Sequence, residues 1–94
     1  MKLKIFSVFD SKVGAYLNPV FLRPAPEAVR SFQDAVNRED SQFKSHAEDY
    51  TMFEIGSWDD QTASIDLLPT PHPIAKAIEL LARNEDPSQM RLVK

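Results

Sequence analysis

The stretch from Lys2 to Phe9 constrains this chain more than any other part of it. It is rich in Ile, Val and Phe and reads as a β-strand. Side chains of an extended chain alternate between two faces. Leu3, Ile5, Ser7 and Phe9 therefore share one face, and Lys2, Lys4, Phe6 and Val8 the other. Neither face is purely polar, which predicts a strand that is central in its sheet or covered on both sides.

The other elements follow from turn residues and periodicity. Asp10-Ser11-Lys12-Val13-Gly14 carries turn chemistry. A second strand is predicted over residues 15–22, at an edge or broken at Asn18-Pro19, because Pro19 has no N–H for a ladder. Pro26 suits the first position of a helix and Glu27 its positive end. Ala28, Val29, Phe32, Ala35 and Val36 then recur at helical spacing, with an end near Asn37. Residues 38–49 read as a polar connection anchored by Phe43. Strands are predicted over residues 50–55 and 62–68, joined by a turn at residues 56–61. Thr70 as N-cap and Pro71 as first residue open a last helix, with Ile74, Ala77, Ile78 and Leu81 as its buried stripe. Pro73 disfavours a helical His72, so the start can slip to Pro73. The order is β-β-α-β-β-α. It predicts an α+β fold with a mostly antiparallel sheet and helices on one face.

With 94 residues the chain is one domain by size, expected over residues 1–83 with a flexible tail over 84–94. It has no cysteine, which removes disulfides, thiolate metal sites and cysteine nucleophiles. Two histidines alone do not close a structural metal site. No apolar run approaches the roughly 20 residues that span a bilayer. Asp10 and Lys12 cut the apolar start short, and no cleavage site follows, so a cytosolic protein is expected. There is no phosphate-binding glycine loop and no Gly-x-Ser-x-Gly elbow. No cofactor, metal site or catalytic residue is predicted, and an enzyme is not expected. His46, Glu48, Asp49 and the Asp59-Asp60 pair have no recognised ligand spacing and read as a loop and a solvated turn. His72, between two prolines, reads as a helix-start residue.

Net charge is −3, which argues against strong sequence-blind nucleic-acid binding. The charge is uneven: residues 1–44 carry +2 and residues 45–94 carry −5. Phe6, Phe9, Tyr16, Phe21, Phe53 and Trp58 all lie on or beside predicted strands. Single-strand binders join a basic groove to aromatic platforms, and Lys2, Lys4, Lys12 and Arg23 flank the first hairpin. A small domain also needs phenylalanines for its core. Phe9, Phe32 and Phe53 are assigned there, while Tyr16, Phe21 and Trp58 stay open between core and surface.

Two stretches carry a family resemblance. One is Lys4-Ile5-Phe6-Ser7-Val8-Phe9-Asp10-Ser11-Lys12-Val13-Gly14-Ala15-Tyr16-Leu17, followed by Pro19-Val20-Phe21 and Glu27-Ala28-Val29-Arg30-Ser31-Phe32. The other is Glu48-Asp49-Tyr50-Thr51-Met52-Phe53-Glu54-Ile55-Gly56, followed by Asp59-Asp60. Together they resemble the small nonstructural protein of gokushoviruses, Microviridae-type phages with circular single-stranded DNA genomes. The resemblance covers roughly residues 2–81. It implies a non-virion protein of the infected bacterial cytoplasm. Such a protein binds DNA or acts in the switch to single-stranded genome synthesis and packaging, with no catalytic motif. Lys4, Lys12 and Arg30 fall within the matching stretches.

Two functions are therefore expected to compete. The first is single-stranded DNA binding through Lys2, Lys4, Lys12, Arg23 and Arg30, with Tyr16, Phe21 or Trp58 stacking and a steep loss of affinity with salt. The second is an adaptor that touches phage replication or capsid-precursor proteins without contacting DNA. A homodimer through a free strand edge is a further expectation.

Overall fold

The computed structural model describes residues 1–82, and the tail expected over residues 84–94 lies outside them. β1 (Lys2–Asp10) is the central strand that its two apolar faces require. On one side it pairs antiparallel with β2 (Ala15–Tyr16) and β3 (Val20–Leu22), and on the other with β4 (Tyr50–Asp59). β5 (Ile65–Lys76) pairs with β4 and closes the five-stranded sheet. The predicted second strand is thus broken at Asn18-Pro19 into β2 and β3.

α1 (Ala25–Val36) lies on one face of this sheet, with Pro26 at its second position rather than its first and Asn37 as C-cap. Ala28, Phe32 and Val36 project from it onto Phe6 of β1 and Tyr50 and Met52 of β4, and all six are buried. Phe43 packs edge-on between Phe32 and Tyr50, at ring-centroid distances of 5.6 and 4.8 Å. It is the anchor expected of the 38–49 connection, which winds into α2 (Gln42–Ser45) and a 3-10 turn (Ala47–Asp49). Each large apolar side chain buried here contributes roughly 1.5–3 kcal/mol relative to exposure. An open apolar cavity of about 190 Å³ remains between α1 and the β2–β3 break, lined among others by Leu17, Val20, Leu22, Ala35 and Met52.

The C-terminal half departs from expectation in its boundaries. β4 runs on through Trp58 to Asp59, so the turn falls at residues 60–64. The last helix is only α3 (Ala77–Leu80), and residues 70–76 belong to β5. Pro71 and Pro73 explain this. Each drives the residue before it, Thr70 and His72, out of helical backbone. Helix formation waits until Ala77, where the Glu79 carboxylate accepts the Lys76 N–H at 3.4 Å. Of the predicted stripe, Ala77 is buried, but Ile78 is exposed and Ile74 packs into the core from the strand. Asn37 fastens α3 to α1: its amide donates to the carbonyls of Gln33 and Leu80, and its oxygen accepts the N–H of Ala82 at 2.6 Å.

β4 and β5 are joined irregularly. Ile55 has no opposite residue in β1, and residues 68–71 arch out opposite it in β5. Pro73 faces Phe53 in the ladder. A proline there has no N–H to give to β4, so its nitrogen side faces the free edge. Both sheet edges thus carry proline, at Pro19 on one side and at Pro73 on the other.

Candidate nucleic-acid interface

Helices cover the face that holds Phe6 and Val8; the opposite face has no helix on it among the described residues. Opposed residues of an antiparallel ladder share a face. The pairs Leu3–Trp58, Ile5–Phe21, Ile5–Gly56, Ser7–Phe53 and Phe9–Tyr16 therefore place these residues together on the uncovered side. β5 adds Ile65, Leu67 and Pro73 through their pairing with Trp58, Gly56 and Phe53.

The aromatic residues form two stations. At one end, Phe9, Tyr16 and Phe53 enclose one another, with centroid distances of 4.8, 5.8 and 6.4 Å. At the other, Phe21 and Trp58 meet at 5.7 Å and 76°. Phe21 reaches Trp58 from across β1, because their strands flank β1 on opposite sides. Tyr16 is 46% exposed and Phe21 is 43% exposed, so both offer ring surface to solvent. Ile5, the ladder partner of Phe21, and Phe9 stand four positions apart in β1, or about 13 Å along the strand. Between the stations lies an open apolar trough of about 370 Å³, lined by Ser7, Tyr16, Leu17, Pro19, Ile55, Leu67, Leu68 and Pro71. Its floor is held by the Ser7 hydroxyl, which donates to the Leu17 carbonyl at 2.6 Å.

The sequence-predicted residues separate into two groups. Tyr16, Phe21 and Trp58 share the uncovered face. Phe32 is a core residue as expected. Phe9 and Phe53 are not: they are half-buried members of the first aromatic station.

The basic residues do not converge. Lys4 lies on the Phe6 side of β1 and donates to Glu54 at 3.0 Å. Lys2 stands opposite Asp59, also on the Phe6 side. Arg30 is exposed on α1, in the opposite layer from the aromatic face. Lys12 is exposed in the β1–β2 turn, at the far end of β1 from Lys2. Arg23 is exposed two residues after Phe21.

One cation was not foreseen. Lys76 opposes Thr51, which opposes Phe9, so a single row across the sheet reads Tyr16, Phe9, Thr51, Lys76. Its assignment to a helix concealed this. The alternation along β1 did carry the signal for Phe9, since it put Phe9 with Leu3 and Ile5 rather than with Phe6.

Near Lys12, the side chains of Asp10, His46, Glu48, Asp49 and Tyr50 border a polar hollow. Burial, and then the charges of Asp10 and Asp49, push the Tyr50 phenol above its ordinary range. The described residues contain no group of three or more side chains placed to hold a metal ion, and no helix long and apolar enough to cross a membrane.

Fold and surface together define a small helix-backed antiparallel sheet that presents paired aromatic side chains on its uncovered face. The model of the phage ORF5 protein family matches residues 3–80, and the chain belongs to that family. It is a phage protein. No curated protein and no solved structure matches it.

Proposed function

We propose that this protein binds single-stranded DNA on its uncovered sheet face, as a non-enzymatic nonstructural protein of a gokushovirus-type phage. It would act in the host bacterial cytoplasm, outside the virion, in replication or packaging of the single-stranded genome. The observation that carries this reading is the pair of aromatic stations on one open face. Small helix-backed sheets take single-stranded nucleic acid by stacking unpaired bases on such residues, and each stacked base contributes roughly 1–3 kcal/mol. The face stacks bases but does not read their edges, so binding is tolerant of sequence.

Lys76 lies on this face by register, Arg23 follows Phe21 by two residues, and Lys12 sits in the turn before Tyr16; these three are the proposed phosphate contacts. Three phosphate contacts give a slope of log affinity against log salt of about −2 on single strands. This is shallower than a reading based on all five predicted cations requires.

The test is anisotropy of a labelled single-stranded oligonucleotide, titrated at several salt concentrations with duplex DNA as competitor. Preference for the single strand with a shallow salt slope supports the reading. A slope near zero, a preference for duplex, or no binding at tens of micromolar protein in low salt overturns it.

The adaptor reading has one observation in its favour. Ile65, Leu67 and Leu68 add an exposed aliphatic strip beside the rings, which stacking does not require. Binding to a phage replication or capsid-precursor protein with no DNA affinity would select that reading.

A further inference from the structure

The uncovered face is apolar well beyond its rings. Tyr16, Phe21, Ile65, Leu67 and Leu68 are all exposed on or beside it, Leu67 by 72%. Among the strand residues whose register places them on this side, Lys76 is the only charged one. Acidic Asp10, Glu54, Asp59 and Asp66 all fall on the other side. Across four strands and along the paired length, the face measures about 19 by about 25 Å, or about 500 Å² in projection. A mostly apolar face with that footprint lies at the upper end of what a monomer leaves bare, and such faces often serve binding.

We infer that a second copy of this chain covers this face, and that single-stranded DNA must displace it; the displacement rests on the function proposed above. Three features select a second copy. A near-neutral face meets its own copy without like-charge repulsion, whereas the remaining surface carries the net negative charge. Both sheet edges carry proline, so association by strand addition is blocked where Pro19 and Pro73 lie, and the face is the remaining apolar surface of the sheet. The area lies somewhat below the roughly 800 Å² per partner of a standard interface, which suits a micromolar dimer that a ligand can open. The homodimer expected through a strand edge is thereby moved to the sheet face. The protein then stores its aromatic surface while no single strand is present, and exposes it as genome strands accumulate.

Leu67 separates the two roles. It lines the trough between the stations, carries no ring to stack on a base, and is exposed enough for substitution to leave folding intact. The experiment is sedimentation equilibrium of the wild type and Leu67→Gln from about 5 to about 300 µM, with and without saturating ten-residue oligo-dT. Oligonucleotide binding is read by anisotropy on the same samples. The expected result is a reversible wild-type dimer that dissociates into protein–DNA complexes as oligo-dT is added. Leu67→Gln should weaken the dimer by about tenfold or more and raise the apparent DNA affinity. A wild type that stays monomeric throughout, or a dimer that persists with DNA bound, overturns the inference while leaving DNA binding in place. A dimer weakened by Leu67→Gln that takes up no oligonucleotide in either form upholds the interface and overturns the nucleic-acid reading.

Discussion

Phe21 and Trp58 meet edge to face, with centroids 5.7 Å apart, although their strands never pair with each other. Each flanks β1 from its own side, and the contact closes over Leu3 and Ile5, their ladder partners. Trp58 therefore reports on the open face. Its fluorescence is expected to change on titration with oligo-dT. Trp58→Ala should weaken binding by about 1–3 kcal/mol, measured by anisotropy with circular dichroism as the control for folding.

Lys4 and Lys76 should behave in opposite ways. Lys4 is paired with Glu54 in the helix-side layer, with the lysine side chain 43% and the glutamate 15% exposed. Lys4→Gln should cost up to about 1 kcal/mol of stability, discounted for that exposure, and leave DNA affinity within about twofold. Lys76→Gln should leave stability unchanged within about 0.5 kcal/mol and lower the salt slope by about 0.7. Urea melts and salt titrations read both effects.

Much of this was legible in the sequence, and the parts that were not share causes. The two apolar faces of residues 2–9 locate the central strand, and the helical spacing of Ala28, Phe32 and Val36 locates α1, because in both cases one pattern admits one burial. Thr70 and Pro71 mislead because the same residues that open a helix also restrict an edge strand. Only the pairing of β5 with β4, a long-range contact, decides between them. Phe9 and Phe53 mislead because a half-buried aromatic cluster on an uncovered face and a buried core use the same residue type. The basic residues are visible as letters, but the layer each occupies depends on the sheet, which separates Lys4 and Arg30 from Tyr16, Phe21 and Trp58.

Two turns provide a matched pair of backbone tests. Gly14 has φ of 78° with open space where a side chain would stand, and Ala63 has φ of 64° despite its Cβ. Left-handed backbone costs a residue with a Cβ roughly 1–2 kcal/mol. Gly14→Ala should destabilise by about 1 kcal/mol and Ala63→Gly should stabilise by a similar amount. Gly56→Ala should cost more than either, because a Cβ there runs into the Asp66 carbonyl of β5.

Asn37 holds three backbone groups at the junction of α1 and α3. Asn37→Asp exchanges its donor for a second acceptor facing the carbonyls of Gln33 and Leu80. A loss of about 2 kcal/mol is expected, measured by urea unfolding, with earlier hydrogen exchange in α3 than in β1.

Tyr50 sets an alkaline limit. Its folded pKa lies above the ordinary value of 10.0, first because of burial and then because of Asp10 and Asp49. The neutral phenol is the form the fold favours. Its contribution is complete below the unfolded pKa and is lost as pH rises through the folded one. Stability should fall above about pH 10, and Tyr50→Phe should remove that part of the fall. Thermal melts between pH 8 and about 11 read the difference.

In the proposed binding mode the aromatic sheet face takes the single strand, and Lys4 and Arg30, in the helix-side layer, do not. Backbone amide NMR of the labelled protein titrated with oligo-dT tests this most directly. Shifts concentrated at Tyr16, Phe21, Phe53, Trp58 and Lys76, with α1 unmoved, are the predicted result. Shifts centred on Arg30 and α1 with the aromatic strands unmoved would contradict it.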